Sequence, residues 1–186
     1  MQPVIRSALA LLPFLLFTGT AWSEDTPTYP LVAVEDGDTI TIRVGQEIKR
    51  LQLSGIDAPE DAQNPKLAKD LERTGLPVAT LLKLGHAATD HLKSLVAPND
   101  PVSITGDLST SDRYGRIPVE VHVAGRSLNT AMVADGYAVI LSRPPLTEDN
   151  RRQMETLQQA AQDQRRGLWG EQRAATFSWS GQQPAD

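Results

Sequence analysis

Apolar and polar positions change their period several times along this chain, and each change marks an element. Leu31-Val32-Ala33-Val34 is a short apolar run, and Ile40, Ile42 and Val44 then alternate with Thr39, Thr41 and Arg43. Alternation with period two is the mark of a strand with one buried face. Asp36-Gly37 supplies a turn between these segments and Gly45-Gln46 a second. Beyond it Ile48, Arg50, Gln52 and Ser54 alternate with Leu51, Leu53 and Gly55 and run into Ile56. Three short strands in succession predict a meander. Residues 101–108 and 117–123 carry two further strand patterns.

Between the strands the period changes to that of a helix. Residues 86–96 place Ala88, Leu92, Leu95 and Val96 on one face before Pro98 ends the run. A second helix is expected at 127–135, with Gly136 as its C-cap. The third begins at Thr147, a good N-cap, with Glu148 and Asp149 in the first turn. Met154, Leu157 and Ala161 form its apolar stripe, Arg165-Arg166 its last turn and Gly167 its cap, and Leu168-Trp169 is expected to fold back on the core. Residues 61–84 are polar and broken by Pro65, Gly75 and Pro77, so they read as a long loop insertion with a short helix candidate at 66–73. Residues 24–29 read as a polar leader and 171–186 as a flexible C-terminal tail. Short strands with a few helices predict an α+β domain on a small barrel over residues 30–170.

Composition narrows the chemistry. The chain has 186 residues, 40% hydrophobic and 22% charged, which is ordinary for a folded domain. It has no cysteine, so disulfides, thiolate metal sites and a cysteine nucleophile are excluded. Its formal net charge of -5 excludes coating of nucleic acid by bulk positive charge. Any polyanion it handles must be met by a local patch or a bound cation. At the N-terminus, Arg6 precedes an apolar run over 8–17, and Ala21-Trp22-Ser23 has small residues at the positions a signal peptidase reads. Residues 1–23 are therefore expected to be a signal peptide. The run is shorter than the roughly 20 residues a membrane-spanning helix needs. The expected compartment is periplasmic or extracellular. The last-helix pairs Arg151-Arg152 and Arg165-Arg166 read as a solvated face, the three histidines as structural or surface residues, and Lys66, Lys69 and Arg73 are interleaved with Asp70 and Glu72, which argues against a basic rim.

Three carboxylates stand out. Asp38 begins the second strand, and Asp57 and Glu60 end the third in Ile56-Asp57-Ala58-Pro59-Glu60. In a meander the start of one strand lies near the end of the next, so these groups can converge. Acidic groups crowded together need a cation between them, and oxygen ligands without His or Cys suit a hard ion, calcium or magnesium. The same dipeptides are also common turn chemistry. Asp112-Arg113-Tyr114-Gly115-Arg116 adds arginines ahead of a strand, and arginine makes forked contacts to phosphate. By itself this segment would read as a solvated hairpin turn; beside a carboxylate-held cation it is a phosphoryl-transfer layout.

Together the ordered pieces Val34-Glu35-Asp36-Gly37-Asp38-Thr39, Gly55-Ile56-Asp57-Ala58-Pro59-Glu60, Asp112-Arg113-Tyr114-Gly115-Arg116, Leu128-Asn129 with Gly136-Tyr137, and Gly167-Leu168-Trp169 resemble the staphylococcal nuclease (thermonuclease) family. The resemblance implies an OB-like five-stranded β-barrel with three α-helices and a calcium-dependent phosphodiesterase acting on single-stranded or unpaired DNA and RNA, expected as a monomer. Carried over by motif, Asp38, Asp57 and the backbone carbonyl of Ala58 would ligate calcium. Glu60 would do so through water and act as general base, with Asp36 behind the ligands. Arg116 would stabilise the leaving oxygen, and Arg113 and Tyr114 would contact a terminal phosphate.

Two departures from the family pattern bear on activity. The family's strand arginine, five residues before the second metal aspartate, is Gln52 here. Losing one preorganised donor to a transition-state oxyanion costs about 3–4 kcal/mol. Arg50 shares the strand face of Gln52, about 6–7 Å away, and is the candidate substitute. The segment after Tyr137 also lacks the stacking tyrosines of the family's type member. The alternative to a nuclease of reduced activity is a catalytically impaired barrel that binds nucleic acid or a protein partner.

Overall fold

The structure, a computed structural model, describes residues 26–141 and 146–183. The signal peptide expected at 1–23 lies outside the described residues. The meander is present as β1 (Thr28–Val34), β2 (Thr39–Val44) and β3 (Glu47–Leu53), paired antiparallel, with Thr39 opposite Gln52 and Thr41 opposite Arg50. A two-residue strand, β4 (Ile56–Asp57), follows. Next come α1 (Pro65–Thr74), α2 (Val78–Leu95), β5 (Pro101–Thr105), β6 (Arg116–Val123), β7 (Arg126–Ser127) and α3 (Leu128–Ala134). After β8 (Val139–Ile140), which pairs with β4, come α4 (Glu148–Asp163), a 3-10 turn at Gly167–Trp169 and α5 (Arg173–Ser180).

The strands run in the order β3-β2-β1-β5-β6, and β6 returns to pair with β3, so five strands close into a barrel. That closing pair is parallel and sets Arg50 beside Arg116 and Gln52 beside Pro118. Inward residues of the period-two pattern, among them Ile40, Ile42, Leu51, Leu53 and Val121, are fully buried with Ala88 and Leu92 of α2. The α+β barrel is the fold expected from the strand pattern, but among the described residues it carries five α-helices rather than three.

The difference lies in two places. Residues 61–84 are not a long loop. Asn64 caps α1 by accepting from the amides of Lys66 (2.9 Å) and Leu67 (2.8 Å), and Pro65 occupies the first helical position, where its missing N–H costs nothing. Gly75, at φ 65°, ends α1 in a left-handed cap. Helix α2 starts at Val78, eight residues before the position read from the sequence, because Leu81, Leu84, Gly85, Ala88, Thr89 and Leu92 form one continuous buried stripe. Nor is 171–186 all tail. Helix α5 buries Phe177 and Trp179 in a second apolar cluster with Leu67, Leu84 and Trp169, where the Trp169 and Phe177 rings lie 4.9 Å apart. The leader is shorter too, since Thr28, Tyr29 and Pro30 pair with β5.

Candidate active site

The Asp36–Asp38 turn and the Asp57–Glu60 turn meet at one end of the barrel. The Leu53 amide donates to the Asp38 carbonyl (2.8 Å), which brings the start of β2 against the end of β3. Close packing brings the two turns together. A Cβ on Gly37 would sit 2.7 Å from the Ala58 side chain and 2.8 Å from that of Ala88. A Cβ on Gly85 would lie 2.1 Å from the Glu60 carbonyl oxygen, so only glycine lets α2 pass this close beneath the Glu60 backbone. Thr89 of α2 donates to the Asp61 carboxylate at 2.7 Å and pins the same loop.

Asp38 is 4% exposed. One carboxylate oxygen accepts from the Thr39 hydroxyl (3.0 Å) and the other from the Ala58 amide (3.1 Å). Burial, then repulsion from Asp36 and Asp57, pushes its pKa up to about 8. Burial also raises Asp57, against the pull of Lys66, and raises Asp36, against the hydrogen bond it accepts from the Asp38 amide. The pocket therefore holds more negative charge than it can solvate. Lys66, on the first turn of α1, answers it: Nζ lies 3.0 Å from Asp57 Oδ1 and 2.7 Å from Glu60 Oε1, and donates to the Ala58 carbonyl at 3.1 Å. Although burial works against its charge, attraction to Asp57, Glu60 and Asp38 holds the ammonium protonated. Asn64 adds a hydrogen bond to the other oxygen of Glu60.

The basic residues gather where β6 pairs with β3, with Arg50 beside Arg116. Asp112 folds the Asp112–Arg116 turn by accepting from the amides of Tyr114 (2.8 Å) and Arg116 (2.9 Å), and it takes the Arg116 guanidinium at 3.0–3.1 Å. Those hydrogen bonds outweigh partial burial and lower the Asp112 pKa. Tyr114 is 56% exposed, and the guanidinium carbons of Arg113 and Arg116 lie 4.8 and 5.4 Å from its ring centroid. Arg50 reaches towards the same turn, donating weakly to the Tyr114 carbonyl (3.4 Å), but its Nε donates to both oxygens of Glu35, at 2.9 and 2.8 Å. The candidate substitute for the strand arginine thus stands next to Arg116 in register and is held by a neighbouring acid.

A family model described as Staphylococcal nuclease homologue matches residues 50–171. The chain belongs to the staphylococcal nuclease homologue family. The matched range includes Asp57, Ala58, Glu60 and Arg116, while Asp36 and Asp38 precede it. Among similar proteins, an "Uncharacterized endonuclease" of Escherichia coli is 32% identical over 142 residues, 76% of each chain. A "Thermonuclease" of Staphylococcus hyicus is 26% identical over 145 residues, 76% of this chain and 75% of that protein. "Endonuclease YhcR" of Bacillus subtilis is 29% identical over 143 residues, 74% of this chain but only 11% of that protein's length. Family membership supports a nuclease function.

Within this nuclease-homologue barrel the structure brings Asp36, Asp38, Asp57, Ala58 and Glu60 to one pocket and Arg50, Arg113, Tyr114 and Arg116 to one face, with Gln52 on β3 between them. Among the described residues no three acidic or histidine side chains are gathered tightly enough to cage a metal unaided. The donor chemistry nevertheless fits a hard cation: it is all oxygen, it includes the Ala58 carbonyl, and a positive group is already stationed among three of its atoms. The sequence reading set Lys66 aside with Lys69 and Arg73 as an interrupted basic rim, and it did not single out Asn64. The Asn-Pro pair that starts α1 was the available signal, because it fixes where Lys66 enters the helix.

Proposed function

We propose that this chain is a calcium-dependent nuclease that hydrolyses phosphodiester bonds in single-stranded or unpaired DNA and RNA, exported to the periplasm or beyond through residues 1–23 and acting as a monomer. The observation that carries the reading is the oxygen-lined cation position between Asp57, Glu60 and the Ala58 carbonyl, on the same barrel strand system that presents Arg116. Calcium held there by Asp38, Asp57 and Ala58 would polarise a phosphate oxygen. Glu60 would take the proton of the attacking water, and Arg116 would exchange Asp112 for the phosphate and stabilise charge on the leaving oxygen. Arg113 and Tyr114, both exposed, would meet a terminal phosphate.

Gln52 favours a second reading, in which the barrel binds nucleic acid or a protein partner with little turnover. Release of nucleotides from single-stranded DNA, measured with calcium and with chelator, separates the two. The nuclease reading expects calcium-dependent release that Glu60→Gln abolishes. Binding without release above that variant would leave the second reading.

A further inference from the structure

Calcium and Lys66 cannot both occupy the pocket as it stands. The ammonium contacts Asp57, Glu60 and the Ala58 carbonyl, three of the four groups that the nuclease reading assigns to the metal. Its position is built rather than incidental. Asn64 accepts from the Lys66 amide while its own side-chain amide donates to Glu60, so one residue sets both the start of α1 and the acid that Lys66 meets. The acids are sequestered, with the Glu60 and Asp57 side chains 14% and 24% exposed, but the lysine side chain keeps 39% of its surface in solvent. Its stem can therefore swing outward about its own rotatable bonds, without movement of α1.

We propose that Lys66 is a tethered competitor for the cation position: it neutralises the acidic pocket when calcium is absent, must leave for calcium to enter, and so sets the calcium concentration at which the site becomes metal-loaded. The proposal rests on the calcium reading above. It makes loading an exchange of one cation for another, so the pocket is never left as an uncompensated cluster of carboxylates. It also turns calcium binding into exposure of one particular ammonium group.

Titration calorimetry with calcium chloride tests the exchange on the wild-type protein, Lys66→Met, Lys66→Gln and the solvent-facing control Lys69→Met. Both Lys66 variants are expected to bind calcium at least tenfold more tightly than wild type, with Lys69→Met unchanged. Without calcium both should melt several degrees lower than wild type, and calcium should raise their midpoints more than it raises that of wild type. A second measurement needs no variant. Reductive methylation with formaldehyde, read by peptide mass spectrometry, should label Lys66 slowly in chelator and faster in calcium, with Lys69 labelled equally in both. Calcium binding by the Lys66 variants alone would support the competition in its strongest form. Equal or weaker binding by both Lys66 variants, or Lys66 labelling indifferent to calcium, overturns the competition and leaves the calcium reading standing. Absence of calcium heat from all four proteins overturns the calcium reading, and this proposal with it.

Discussion

The barrel carries two charged clusters of opposite design. In the Asp57–Glu60 pocket, acids drawn away from water share a single ammonium, Lys66. Along β3 and β6, Arg50 and Arg116 each have a private carboxylate, Glu35 and Asp112, the first pair open to solvent and the second half-buried. Pairs open to solvent, as Arg50–Glu35 is, are worth about 0–1 kcal/mol, so a phosphate can take over the Arg50 guanidinium at little cost. In the first kind, removing one partner strands charge in a poorly solvated place, which costs several times more. Each guanidinium can therefore pass from one anion to another singly, whereas the acids of the pocket depend on one shared positive charge.

The largest test of this contrast is on the basic face. Arg116→Ala should lower nuclease turnover by about a hundred- to thousandfold, the loss of one preorganised charged donor, while the melting temperature changes little because Asp112 keeps its hydrogen bonds from the amides of residues 114 and 116. A large fall in stability instead would show that the Arg116–Asp112 pair is structural. Restoring the strand donor comes next: Gln52→Arg should raise single-stranded DNA cleavage by about tenfold or more. No gain would mean that Arg50 already supplies what Gln52 lacks, and Arg50→Ala would then abolish activity.

The acidic pocket is best examined through stability. The Asp38 carboxyl is raised in the fold, so its neutral form is the one the native state prefers. Calcium-free stability is then greatest below the ordinary aspartate pKa near 4 and is lost as pH rises towards about 8. Asp38→Asn should remove most of that loss. Each unit of pKa elevation corresponds to about 1.4 kcal/mol, and each kcal/mol to about 2–4 °C in a protein of this size. Thermal melts in chelator from pH 4 to 8 should show the variant higher and flatter; parallel curves would count against an ionised pocket. The smallest effect is expected at Glu35→Gln, which releases Arg50 and should cost less than about 1 kcal/mol in a denaturation curve.

How far these clusters were legible in the sequence follows from how each is built. Period-two alternation placed Arg50 and Gln52 on one strand face, and meander geometry brought Asp38 to Asp57 and Glu60, because both depend on backbone pairing that a sequence pattern encodes. Glu35 on Arg50 was not legible, since the contact passes across β2 and depends on side-chain reach. The place of Lys66 among the acids was not legible for a related reason. Proline and glycine at 65, 75 and 77 looked like loop punctuation, yet in the fold they begin one helix, end it, and precede the next. Helix α5 is only eight residues long, and the cluster it joins draws Leu67 and Leu84 from elements remote in the chain.

One clasp ties the two ends of this arrangement together. Trp179 of α5 donates its indole N–H to Asp70 of α1 at 3.2 Å, and Arg73 of α1 spans Asp70 Oδ1 and the Trp179 carbonyl at 2.7 Å each. Helix α1 is also the helix that carries Lys66, and α5 lies beyond residue 171, where the family match stops. A protein cut after Trp169 would keep the barrel and every acidic ligand but lose the brace behind α1. With that brace gone Lys66 would be held less firmly, and under the exchange proposed above calcium would meet a weaker competitor.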